Sequence, residues 1–204
     1  MPVRYSKAGI AALGFPDPDL AYRIPDLGHL YHGNILNVSL DRLTGNFRGP
    51  RAYPSFGIWM NLVRLTDRAL RNYGAARSQL DEYRHRAHEG RVGSFYLAID
   101  HFEEVVSAAH RGLLNAHQLE QLLRRRLHRP TDRQKDLLYK TRNHIEHMDK
   151  MLAGRAVKQG ELHVLVPLPT CLEIGPARLP YRDLASCITK MYRNIELIRG
   201  APSK

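Results

Sequence analysis

The stretch SFGIWMNLVRLTDRALRNYGAARSQLDEY, residues 55 to 83, decides the fold class. Its apolar residues Ile58, Leu62, Leu65, Ala69, Tyr73, Ala76, Leu80 and Tyr83 fall three or four apart, the spacing that lines one face of an α-helix over many turns. Downstream, Gly90 and Gly93 punctuate the pattern. Ser94 is then placed to cap a second helix with Phe95, Ile99, Phe102, Val106, Ala109 and Leu113 on its inner side. Gly112 and Asn115 are read as an end or kink of that helix, followed by a further stretch from 116 to 128 that Pro130 stops. Thr131 and Asp132 open the next helix, with Leu137 or Leu138, Thr141, Ile145, Met148 and Leu152 inward and Gly154 closing it. Two apolar runs, Leu162 to Val166 and Cys171 to Gly175, flank the Pro-rich segment 167–170 and read as a small hairpin. A last helix spans Tyr181 to Ile198, with Leu184, Ile188, Met191, Ile195 and Ile198 buried.

Upstream of Ser55 the texture differs. Pro2, Pro16, Pro18, Pro25, Pro50, Pro54 and several glycines interrupt any long period, so residues 1–54 read as an irregular N-terminal arm. Within it Ile35 to Leu40 (ILNVSL) reads as a short strand or as a loop with two buried residues. The expected architecture is mainly α: a bundle of four to five helices with a small C-terminal β-hairpin, residues 55–204 forming one globular unit. A chain of 204 residues with 43% apolar content is long enough for such a core. The apolar run from Ala8 to Phe15 is broken by Pro16-Asp17-Pro18-Asp19, too soon for a secretion signal or membrane span, which places the expected compartment in the cytoplasm. Cys171 and Cys187 make neither a disulfide framework nor a zinc spacing, and read as core-filling thiols. Trp59 and the ten tyrosines read as core and surface anchors.

Charge points to an anionic partner. Lys and Arg number 31 against 20 acids, a formal charge of +11 and a pI near 9.9. Between Arg111 and Arg142 stand nine basic residues and three acids. Arg124, Arg125, Arg126, Arg129 and Lys140 are the candidate contacts to an RNA backbone, since guanidinium groups hold phosphate in a bidentate way. A merely solvated basic face is the plainer alternative.

The chemistry candidate is Arg142-Asn143-His144-Ile145-Glu146-His147. This segment resembles the Arg-x4-6-His signature of the HEPN superfamily, helical-bundle proteins many of which are metal-independent ribonucleases. Arg23 to His29 and Arg111 to His117 fit the bare spacing too. The first lies in the arm, and the second has Gly112 directly after its arginine. Only Arg142 is followed by a small polar residue, late on an amphipathic helix, as in the family. The resemblance implies a homodimer cleaving RNA to 2′,3′-cyclic phosphate ends, with His147 as general acid or base, Arg142 on the scissile phosphate, Asn143 positioning, and Glu146 pairing with Arg142 one turn away. It implies no cofactor, and a role as a toxin or a phage-defence or stress effector. Asp149 stands where relatives silenced by nucleotidyltransferase antitoxins carry tyrosine, which argues against that control and leaves any regulatory partner open. An acid on an earlier helix often lines the family's cleft, and Asp100, Glu103 and Glu104 are the candidates.

Two other readings follow from the residues. Arg142 and Glu146 are spaced as an ordinary i,i+4 surface pair, in which case the histidines are polar-face residues and the chain is a non-catalytic helical module that binds nucleic acid or protein. A metal site is disfavoured: His144 and His147 lack the zincin spacing, and Glu82 to His85 is the one Glu-x-x-His pair where a di-iron bundle needs two.

Overall fold

A computed structural model describes residues 6–12, 14–31, 33–47, 49–153 and 164–200, with side chains at all of these except 34, 35 and 148–153. Among them are helices α1 (Lys7–Ala12), α2 (Asn34–Leu43), α3 (Ser55–Arg86), α4 (Gly93–Leu123), α5 (Asp132–Ala153) and α6 (Tyr181–Arg199), and strands β1 (Val166–Pro167), β2 (Cys171–Ile174) and β3 (Ala177–Pro180). The fold is mainly α, with its sheet near the C-terminus.

The two long helices α3 and α4 form the central hairpin, turning through a 3-10 segment (Ala87–Glu89) that ends on Gly90 at φ 78°. Their inner faces bury Leu62, Leu65, Ala69, Tyr73, Ala76 and Leu80 against Phe95, Phe102, Val105, Val106 and Ala109. Tyr73 and Tyr181 both stack against Phe102, at ring centroid distances of 6.3 and 5.5 Å. Helix α6 packs across both long helices, and α5 packs on α4 and on the sheet.

The structure corrects the sequence at several points. α4 runs unbroken through Gly112 and Asn115 to Leu123. Gly112 is a place of close approach, because a Cβ there would lie 2.1 Å from the Met191 methyl carbon on α6. Ser94 does not cap α4; the helix begins at Gly93 and the Ser94 hydroxyl is buried without a partner. Arg124, Arg125, Arg126 and Arg129 lie past the end of α4, outside any helix. The segment ILNVSL, read as a short strand or a loop, lies in helix α2: Val38 is buried, while Leu36, Leu40 and Leu43 are exposed. Its conformation is held by contacts with α3 and by a salt bridge from Asp41 to Arg199, whose Nε donates at 2.7 Å. The hairpin supplies two strands of a three-stranded antiparallel sheet of order β1-β2-β3, whose third strand is only four residues long, with Ala177 and Leu179 buried. Leu162 and His163, assigned to the first run, lie outside the described residues, as do Gly154 and the side chains of Met148 and Leu152.

The arm folds back over the bundle. Ile10, Ile24, Leu27, Val38 and Phe47 join the core, and Phe47 packs on the buried Trp59 at 5.3 Å. The Tyr83 hydroxyl donates to the Pro16 carbonyl at 2.5 Å, and the Arg23 N–H donates to the Pro169 carbonyl at 2.7 Å. Prolines break the periodicity of this region without preventing its burial.

Candidate functional site

The register of α5 is set at its first turn. Thr131 Oγ1 accepts the Gln134 N–H at 3.2 Å while the Gln134 side-chain oxygen accepts the Thr131 N–H at 3.1 Å, a reciprocal cap that satisfies two otherwise orphaned donors. Gln134 Nε2 then donates to Asp183 at 3.1 Å and Lys190 donates to Gln134 Oε1 at 2.7 Å, which ties the start of α5 to α6. Leu138 and Thr141 are buried and Ile145 is partly buried against the core. With that face inward, Arg142 lies at its flank, beside α4.

Arg142 forms an ion pair with Glu146 one turn on, and Arg111 of α4 approaches the other Glu146 oxygen at 3.9 Å. Two guanidinium groups share one carboxylate, so the cluster keeps a net positive charge. Arg142 is 24% exposed, and its Nε is buried with no acceptor. His110 of α4 also belongs here: its Nδ1 is buried without a partner, and its ring lies 6.0 Å from that of Tyr139. Burial pushes the His110 pKa below its ordinary 6.5, and Arg142 adds to the shift; Glu146 opposes it and Arg111 contributes in the same sense as Arg142. A neutral imidazole is therefore held beside a guanidinium.

His147, Asn143 and His144 are half-buried, and no hydrogen bond or ion pair engages them among the described residues. α5 is helical throughout, so His147 lies about 140° round the axis and roughly 7.5 Å along it from Arg142. Within one chain the structure brings Arg142 to Glu146, Arg111 and His110, and not into contact with His147. Of the three candidate acids near the start of α4, Asp100 is exposed and Glu104 is committed to Arg68. Glu103 is half-buried, its carboxyl raised by burial and by the neighbouring Asp100 and Glu104. It precedes His110 by seven residues, about 20° round α4 on an ideal helix.

The basic patch divides. Arg124, Arg125 and Arg126 are exposed and make no ion pair among the described residues. Arg129 Nε donates to Glu120 Oε2 at 2.6 Å, and Lys140 pairs with Asp136 at 2.8 Å. Arg124 caps α4 in the left-handed conformation, at φ 48° and ψ 35°. The segment beyond it is pinned twice. Glu120 Oε1 accepts the Leu127 N–H at 3.3 Å, and fully buried Asn194 of α6 accepts the His128 N–H at 2.7 Å and donates to its carbonyl at 3.0 Å. Between this segment, α4 and α5 lies a cavity of about 320 Å³.

His110, Glu120 and Asn194 were missed in the sequence. The signal for His110 and Asn194 was present: each is a polar residue inside an apolar stripe, Val106-His110-Leu113 and Met191-Asn194-Ile198. Both cysteines are free; Cys187 is buried, its thiol pushed up to about 12 by burial, and Cys171 is raised for the same reason. Among the described residues no three His, Cys, Asp or Glu side chains gather as metal ligands would, and no helix is long and apolar enough to cross a membrane. Compared with known proteins, the chain matches no family model, no curated protein and no solved structure.

Proposed function

We propose that the chain is a metal-independent endoribonuclease of HEPN type, acting in the cytoplasm as a homodimer in the manner of a toxin or a phage-defence or stress effector. The observation that carries this is the state of Arg142: a largely enclosed guanidinium whose one acid is shared with Arg111, and whose Nε has no partner among the described residues. Such a group suits a phosphodiester. Arg142 holds the phosphate, and His147 takes the proton of the ribose 2′-hydroxyl as its oxygen attacks phosphorus. The bond from phosphorus to the 5′ oxygen breaks, that oxygen takes up a proton, and the products are a 2′,3′-cyclic phosphate and a 5′-hydroxyl. Asn143 positions the phosphate, Glu146 orients Arg142, and a two-fold partner supplies the second wall of the cleft that the 140° separation within one helix requires.

One observation favours a non-catalytic RNA-binding module: Glu146 already closes on Arg142, and no hydrogen bond or ion pair engages His147 among the described residues. Incubation of the purified protein with end-labelled RNA in EDTA separates the two. The ribonuclease gives cyclic-phosphate ends that vanish in Arg142→Ala and in His147→Ala, with circular dichroism unchanged. Cleavage by both variants at the parental rate, or salt-sensitive binding of RNA that stays intact, overturns it.

A further inference from the structure

Resting on that reading and extending it to substrate choice, we propose that the cavity between α4, the 124–131 segment and α5 is a subsite for one unstacked RNA base, selective for bases that carry an exocyclic amine. Its size is the first ground. About 320 Å³ is at the small end of ligand sites and suits a single base with part of its sugar, not a folded peptide segment. Its lining is the second. Ala116, Leu127 and Leu138 are buried and give apolar walls, while the half-exposed Tyr139 and the exposed His117 stand in its lining with flat faces on which a base can stack.

The third ground is polar. Glu120 lines the same cavity and is only 11% exposed on its side chain. Each of its oxygens takes one protein donor, the Leu127 N–H and the Arg129 guanidinium, and a carboxylate has acceptor capacity beyond that. It presents acceptors only, which match the amino groups of cytosine, adenine and guanine, whereas the one ring donor of uracil, N3–H, stands between two carbonyl oxygens that a carboxylate repels. Position is the fourth: His110 lines the cavity and also lies in the field of Arg142, so base and phosphate subsites share a wall.

The test measures binding without cleavage, using short fluorescein-labelled 2′-O-methyl oligomers of A, C and U and fluorescence anisotropy on the full chain. The A and C oligomers are expected to bind roughly fivefold or more tightly than U, the worth of one net hydrogen bond. Glu120→Gln, whose amide can donate to a carbonyl, is expected to erase that preference. Ala116→Leu, which narrows the cavity while leaving Glu120 in place, is expected to remove it while salt-dependent binding persists. Equal affinity for all three oligomers, a preference that survives both variants, or no binding at all overturns the base subsite. The two readings fail separately: discrimination among oligomers with no cleavage of ordinary RNA leaves the subsite and removes the ribonuclease, whereas cleavage indifferent to base and to Ala116→Leu does the reverse.

Discussion

Arg124→Gly sets stability against binding at a single position. Arg124 caps α4 at φ 48° and ψ 35°, with its N–H directed to the Gln121 and Glu120 carbonyls. For a residue with a Cβ the left-handed conformation costs about 1–2 kcal/mol, a cost that glycine avoids. Glycine in turn loses more backbone freedom on folding, worth roughly 0.5–1 kcal/mol. The difference is a gain of about 0.5–1 kcal/mol, and with a urea m-value of about 2 kcal/mol/M the midpoint should rise by roughly 0.3–0.5 M at constant m. The same substitution removes an exposed cation that makes no ion pair among the described residues. If Arg124 meets a phosphate, the slope of log affinity against log salt for single-stranded RNA should flatten by about 0.7. Urea unfolding followed by circular dichroism, and anisotropy titrations at several salt concentrations, read the two effects separately. A midpoint that falls refutes the strain argument; an unchanged slope refutes the assignment of Arg124 to the RNA surface. Arg124→Asn, which tolerates the left-handed region, should keep most of the stability and show the same loss of slope.

Three further outcomes are expected. Asn194→Ala removes two hydrogen bonds to the His128 backbone, at about 1 kcal/mol each, and should destabilise by about 2 kcal/mol; a change under about 0.5 kcal/mol in urea would show that water replaces the clamp. His110 has a depressed pKa when folded, so below pH about 6.5 the unfolded chain binds a proton that the folded one resists, and stability falls as pH falls through that window. His110→Phe should flatten that part of the stability profile, and an unaltered slope would exclude His110 as its source. Cys187 should resist a thiol-reactive disulfide reagent in the native protein at neutral pH and react on unfolding; fast native reaction at Cys187 would contradict its burial.

The helical bundle was legible because burial in α3, α4 and α6 follows a 3.6-residue period without interruption. Leu184, Ile188, Met191, Ile195 and Ile198 are all buried, as their spacing requires. Gly112 misled because glycine serves two purposes, and only the position of Met191, nearly eighty residues on, shows that close packing is the one in use. α2 was illegible for a different reason: among its described side chains Val38 alone is buried, and its ion pair is with Arg199. In the candidate site, residues on one helix were readable from spacing alone, as with Arg142 and Glu146. Those that reach it from another element, His110 and Arg111, depend on how α4 and α5 lie together, which no local pattern encodes.

The salt bridge between Asp41 and Arg199 joins residues 158 positions apart. At roughly 5–20 residues per second, α2 leaves a ribosome roughly 8–30 s before its partner on α6 is made. Throughout that interval α2 has its contacts with α3 and lacks the ion pair from Arg199, while Leu36, Leu40 and Leu43 stay exposed. The nascent chain thus carries three exposed leucines on a helix not yet tied to α6, and its yield in a cell should depend on a chaperone that shields nascent apolar segments, even though α2 has α3 to pack on as soon as that helix is made.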